Sequence, residues 1–192
     1  MNKMDILKIS MPGQFLFVHL PGDEGHPFSI AEFSDDEVIL WIKKSGDFTN
    51  FLLERLHTGD IVEVEGPWGE FITIFSKKPQ SWCAAGIGIA PFNAWLKAAA
   101  KNKHGSITLF WTVKDQRTAP FVEAVRKEAE EADVHLMLID KGQARLTVKQ
   151  IMQDKPEFVA FCGLALLQKQ LRNENYSKNL IIKHEVFNWR DI

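Results

Sequence analysis

The stretch Ala85-Gly86-Ile87-Gly88-Ile89-Ala90-Pro91, "AGIGIAP", decides how the chain is read. It stands between Trp82-Cys83-Ala84-Ala85, an apolar run with the length of a buried strand, and Phe92 to Lys101, which reads as a helix. Gly86 permits a tight turn, and Gly88 presents bare backbone that a phosphate can approach. Pro91 suits a first helical turn. The helix then offers unpaired N–H groups and the positive end of its dipole to a pyrophosphate. The run ends in Pro where the dehydrogenase fingerprint has a third glycine. A glycine turn kept only for packing is the alternative.

Downstream, strand and helix patterns alternate. Ile107 to Val113 reads as a strand. Pro120 to Ala132 reads as a helix with Phe121, Val125, Ala129 and Ala132 on one face and Pro in its first turn. His135 to Ile139, Phe158 to Cys162 and Leu180 to Phe187 are strands; Thr147 to Asp154 and Leu166 to Asn173 are helices. Such alternation predicts an α/β doubly wound parallel sheet.

Upstream, residues 6 to 75 read as strands: Phe15 to Val18, Glu37 to Lys43, Asp60 to Glu65 with period two, and Phe71 to Phe75. One short helix, Phe51 to Leu56, interrupts, with Thr49 or Asn50 as its cap. Short strands at close spacing predict a small antiparallel β-barrel. The rhythm changes at Lys77-Lys78-Pro79, so the reading is two domains, 1–77 and 78–192.

Two further segments carry polar groups in suggestive order. Gly46-Asp47-Phe48-Thr49 leads into the short helix, where a free backbone, a hydroxyl and a helix N-terminus make a second anion site or a plain cap. His26-Pro27-Phe28-Ser29 is, taken alone, a strand with a polar edge. Composition narrows the field. The 192 residues carry a formal net charge of -2, which gives nucleic acid no basic surface. No apolar run nears the roughly 20 residues of a membrane helix. The N-terminus lacks a signal-peptide core, pointing to the cytoplasm. Two cysteines, Cys83 and Cys162, are too few for an iron–sulfur site.

The order of these motifs resembles the ferredoxin–NADP reductase superfamily, in which a flavin-binding barrel precedes a nicotinamide-nucleotide domain. The matching segments are Pro12-Gly13-Gln14-Phe15, His26 to Ser29, Lys43 to Thr49, Gly66-Pro67-Trp68-Gly69, Gly86 to Pro91, Phe161-Cys162-Gly163 and Glu185-Val186-Phe187. The "HPFS" and "GDFT" forms and the Glu185 to Arg190 ending look most like the dehydrogenase domain of bacterial ferric reductases and NADPH oxidases.

That resemblance implies roles. Phe28 would pack on the flavin, Ser29 would bond near its N5, and Pro27 would fix the backbone between His26 and Phe28. His26 stands where many relatives have an arginine for the flavin phosphates, and a neutral imidazole grips phosphate less firmly. Cys162 and Gly163 would lie beside the nicotinamide, although a buried cysteine is also an ordinary small hydrophobe. Glu185 would orient the rings or relay a proton, or be an exposed strand carboxylate. Trp68 would line the flavin or cap the barrel. Phe187 and Trp189 would form a lid. Lys114 and Arg117 would meet a 2′-phosphate, favouring NADPH over NADH. The implied cofactors are FAD, with FMN as the alternative, and a nicotinamide nucleotide.

The barrel is short, for Met1 to Met11 allow one strand before the Pro-Gly-Gln-Phe segment where relatives have more. An unpaired edge would follow: either the chain is a domain cut from a longer protein, or a partner or a second copy supplies the edge. The ferric-reductase-like ending implies relatives with haem-binding membrane helices upstream, so an upstream membrane haem domain or a partner chain is an expected partner. The expectation is therefore an NAD(P)H-dependent reductase, cytoplasmic or at the cytoplasmic face of a membrane, with ferric iron, a haem or a flavin as acceptor. A freestanding flavin reductase and a non-catalytic interaction module are the competing readings.

Overall fold

The computed structural model describes residues 10–20, 24–174 and 179–185. In the first half, β1 (Phe15–His19), β2 (His26–Phe33), β3 (Val38–Leu40) and β4 (Glu63–Trp68) form one antiparallel sheet in the order β3-β2-β1-β4. A helix, α1 (Asp47–Arg55), lies between β3 and β4. Alternation sets the two faces of this sheet. Leu16 and Val18 turn inward to the apolar layer of Phe28, Ile30, Phe48 and Leu52, while Phe15 and Phe17 face the other way. Pro67 is tolerated in β4 because that strand is at the sheet edge.

The second half is a five-stranded parallel sheet, ordered β7-β6-β5-β8-β9. Its strands are β5 (Gln80–Ala85), β6 (Ile107–Val113), β7 (His135–Asp140), β8 (Phe158–Cys162) and β9 (Ile181–Glu185). A 3₁₀ turn, Gly86–Ile89, leads into α2 (Ala90–Ala99); α3 (Val122–Glu131), α4 (Val148–Ile151) and α5 (Ala165–Asn173) complete it. The chain runs outward from β5 to β7 and then crosses to β8. The switch therefore falls between β5 and β8, the crevice where such sheets take ligands.

Both faces of the central strands are buried, so the strands are apolar throughout rather than alternating. Trp82, Trp95 and Trp111 are fully or almost fully buried, and each finds a partner for its N–H. Trp82 donates to Gln80 Oε1 at 3.0 Å, Trp95 to the Pro12 carbonyl at 3.2 Å and Trp111 to the Gly86 carbonyl at 2.9 Å. Thr147 and Gln150 close α4 with reciprocal side-chain-to-backbone bonds, a capping box.

The halves share a seam. The Phe71 ring stacks on Trp95 at 4.6 Å and belongs to the core under α2. Trp41 stacks on Phe121 at 4.2 Å with the rings 3° from parallel. Lys97 bridges Glu32 at 3.1 Å and Glu128 at 2.8 Å.

Several expectations change here. Phe71 to Phe75 is not a strand, because Phe71 and Phe75 pack on the core of the second half instead of joining the sheet. The strand expected over Glu37 to Lys43 shrinks to Val38–Leu40, because Trp41 leaves the sheet for Phe121. The helix expected from Pro120 starts at Val122, with Phe121 left-handed at φ 67°. Among the described residues, no helix is long and apolar enough to cross a membrane.

Candidate functional site

A line of contacts crosses from one half to the other. Ser29, buried in β2, is the register partner of Phe15 on β1. The Phe15 ring lies against Gly69, where a methyl group would stand 2.9 Å from it. The same methyl would stand 3.6 Å from Glu185 Oε2. Glu185 is the register partner of Cys162 across β8 and β9. Cys162 in turn presents its carbonyl to Gly88, where a methyl would stand 2.6 Å away. Gly88 is thus glycine because β8 approaches the turn too closely for any side chain. Three expected catalytic residues, Ser29, Cys162 and Glu185, lie along this line with Gly88 at its end.

Burial sets the chemistry of the pair on β8 and β9. Desolvation raises the Glu185 carboxyl from its ordinary value of 4.5 to about 7. Desolvation, and then the charge of Glu185, push the Cys162 thiol up to about 12. Cys162 is therefore a neutral wall near neutral pH, not a nucleophile. Cys83 is fully buried and likewise pushed up by desolvation.

The glycine turn has room as well as closeness. Gly86 is left-handed at φ 53°, with no atom within 4 Å of the place its side chain would occupy. Its carbonyl is held by Trp111, a residue whose sequence pattern marks it only as part of a strand. Pro91 sits buried in the first turn of α2. Gly163, at φ 82°, follows β8 and faces the Ala85 carbonyl.

In the first half, Gly46 also borders open space, at φ 151°. Thr49 is inside α1 rather than its cap. Its hydroxyl accepts from the Ser45 N–H at 2.8 Å and donates to the Gly46 carbonyl at 3.1 Å. Lys43 is exposed on the way to this turn. The His26 imidazole stacks on Phe48 at 3.7 Å, and Phe28 packs 6.1 Å from the same ring. Phe28 thus sits in the apolar layer under β2, on the face opposite Ser29, with Pro27 paired to Phe17. Trp68 is half-exposed and paired with Phe15. Phe187 and Trp189 lie outside the described residues.

Lys114 is exposed, while Arg117 is held in a two-pronged pair by Asp115, both contacts at 3.2 Å. A different set of cations surrounds a cavity of about 1020 Å³ at the C-terminal ends of the parallel strands. Lys141, Arg145 and Lys149 line it with Thr112, Gly163 and Leu166. The signal was present in "DKGQARLTVK", residues 140–149, where three cations follow a parallel strand.

Residues 1–79 match a protein family described as FAD-binding domain. The ferredoxin reductase component of 3-ketosteroid-9-alpha-monooxygenase from Mycolicibacterium smegmatis is 27% identical over 166 residues, covering 82% of this chain and 44% of that protein. The toluate 1,2-dioxygenase electron transfer component of Pseudomonas putida is 35% identical over 95 residues, 47% of this chain and 28% of that protein. The chain spans less than half the length of these curated relatives. Among solved structures, the FAD/NAD-binding domain of nitric oxide dioxygenase from Vibrio cholerae superposes with a TM-score of 0.76 at 19% identity, covering 93% of this chain and 85% of that one. The first 79 residues thus match an FAD-binding domain, and the chain has the two-domain fold of the ferredoxin–NADP reductase-like flavoproteins.

Proposed function

We propose that this chain is an NAD(P)H-dependent flavoprotein oxidoreductase, which moves a hydride from a nicotinamide nucleotide to FAD and hands electrons to a separate acceptor. The observation that carries the reading is the contact line from Ser29 through Phe15, Gly69, Glu185 and Cys162 to Gly88. It joins the flavin-type strand to the nucleotide-type turn.

The residues present fit the two cofactors. Gly46 and Gly86 leave open space, one in each half, beside a helix N-terminus suited to phosphate. FAD, when bound, supplies the two-electron acceptor and one-electron delivery that no side chain offers. Ser29 supplies a buried hydroxyl beside Phe15 at the start of this line. Glu185 carries a proton on its carboxyl below about pH 7 and so can donate to a ring edge without adding charge. Cys162 and Gly88 together keep the far end of the line small and uncharged, so that a flat ring can approach. Lys141 and Arg145 at the cavity favour NADPH over NADH, since Arg117 already answers Asp115.

For the acceptor, the relatives' names, a ferredoxin reductase component and an electron transfer component of a dioxygenase, support a separate electron-carrying protein such as a ferredoxin. The two free thiols support a reducing compartment, the cytoplasm or its membrane face. The His26–Phe48 stack favours a second reading, in which flavin exchanges freely and is itself the substrate, because the imidazole is committed to a ring.

Anaerobic titration with NADPH and then NADH, after reconstitution with FAD and then FMN, tests the proposal. Retained flavin whose visible absorption bleaches on addition of nucleotide is the expected result. Nucleotide oxidation only with excess free flavin would favour the second reading. A protein inert in both assays would overturn both and leave an interaction module.

A further inference from the structure

Asn93 on α2 is 1% exposed. Its Nδ2 donates to the Ala31 carbonyl at 3.0 Å. Ala31 is itself fully buried and lies on β2, two residues beyond Ser29. There the β2–β3 register slips from Ile30 opposite Leu40 to Glu32 opposite Ile39. Such a bulge puts one residue out of step with the ladder, and that residue is Ala31. The amide of Asn93 meets its carbonyl at that point. Asn93 Oδ1 has no hydrogen-bond partner among the described residues.

A buried amide satisfied on one side only is a poor stabiliser. A bond made contributes about 1 kcal/mol net, whereas a buried polar atom left unpaired costs about 1–3 kcal/mol. Leucine, close to it in size, would remove the unpaired oxygen but also the donor to the buried Ala31 carbonyl. What sets this residue apart is where its bond lies. It ties β2 directly to α2, with Ser29 two residues from one end and Pro91 two residues from the other. The other polar ties of α2 are Trp95 to the Pro12 carbonyl and Lys97 to Glu32; the latter also reaches β2, one residue past Ala31, but as a partly exposed ion pair that water weakens.

Resting on the hydride-transfer reading above, we infer that Asn93 is a positioning residue: its amide, gripping the Ala31 carbonyl at the β2 bulge, fixes the separation of Ser29 from the Gly86–Pro91 turn. The unpaired Oδ1 is the stability given up for that placement. A strand free to slide at its bulge would leave Ser29 and the glycine turn each intact but poorly spaced, and misplacement by about 1 Å can slow a transfer by about a hundredfold.

The test compares wild type, Asn93→Leu and Lys97→Met. Hydrogen exchange is followed over residues 26–33 of the flavin-free protein, and flavin reduction is followed by stopped flow after FAD loading. Asn93→Leu is expected to raise exchange in β2 about fivefold or more. It is also expected to slow reduction at saturating nucleotide by about tenfold or more, with FAD affinity within about twofold of wild type. Lys97→Met, which keeps the Asn93 bond, is expected to change exchange and reduction by less than about twofold. Asn93→Ala serves in the same way if the leucine variant does not fold. Wild-type exchange and rate in the Asn93 variants would overturn the inference. So would equal slowing in Lys97→Met, since any loosening of α2 would then suffice. A wild type that neither nucleotide reduces would instead sink the hydride-transfer reading, while the exchange data still decide whether Asn93 holds β2.

Discussion

Glu185 stands opposite Cys162 across β8 and β9, and its carboxyl reaches toward Gly69 of the other half. The pair therefore senses both halves of the molecule at once. Its carboxyl is held neutral by burial, which lifts it from 4.5 to about 7.

The first prediction is a pH effect. Desolvation lifts the Glu185 carboxyl from 4.5 to about 7 in the folded protein. Between those values the folded chain holds a proton that the unfolded chain has released. Stability from this group is therefore present below 4.5 and falls as pH rises toward 7. Glu185→Gln removes that loss. Thermal unfolding should show the wild type losing ground to Glu185→Gln between about pH 5 and about pH 8. The rate of flavin reduction should inflect near pH 7 in the wild type and lose that inflection in the variant.

A second prediction separates the two glycines of the turn. In Gly88→Ala the new methyl meets the Cys162 carbonyl at 2.6 Å, and backbone must shift. The variant should lose about 1–3 kcal/mol of stability in denaturant unfolding. In Gly86→Ala the methyl meets open space but the residue is left-handed at φ 53°. That costs about 1 kcal/mol, and the larger effect should be weaker nucleotide binding, read by fluorescence titration.

Coenzyme choice provides a third. Arg145→Leu removes one cation from the cavity beyond β7. Steady-state kinetics should show KM for NADPH rising about tenfold, the worth of one charge-assisted contact of about 1.4 kcal/mol. KM for NADH should hardly move.

The fourth concerns the Trp41–Phe121 stack. Trp41→Leu should cost about 2 kcal/mol, from lost ring contact and lost burial. Phe121→Gly loses the same stack but also relieves a left-handed aromatic residue, a strain of about 1 kcal/mol or more. Urea unfolding of the two variants should therefore rank Phe121→Gly as the milder.

The parallel half was readable from its sequence because its signals are local. Continuous apolar strands, glycine turns and amphipathic helices each announce themselves within a few residues, and α3 and β8 fall close to where the pattern puts them. The first half was less readable because its departures come from distant partners. Phe71 to Phe75 has strand composition, yet its rings are claimed by the core under α2. Ile61 fits an alternating strand, yet it is 98% exposed and β4 begins only at Glu63. At the site, glycines and small residues could be read one by one. The stacking of His26 on Phe48 and the bond from Trp111 to Gly86 could not, since neither pair is near in sequence.

The place of Phe71 has a consequence for how such a protein can be recombined. By sequence it belongs with the first half, and by packing it is part of the second, pressed on Trp95 and Phe92. The two halves are therefore not interchangeable cassettes. A graft that joins this first half to a foreign nucleotide domain must bring a socket for that ring, or it leaves an apolar plug without a hole.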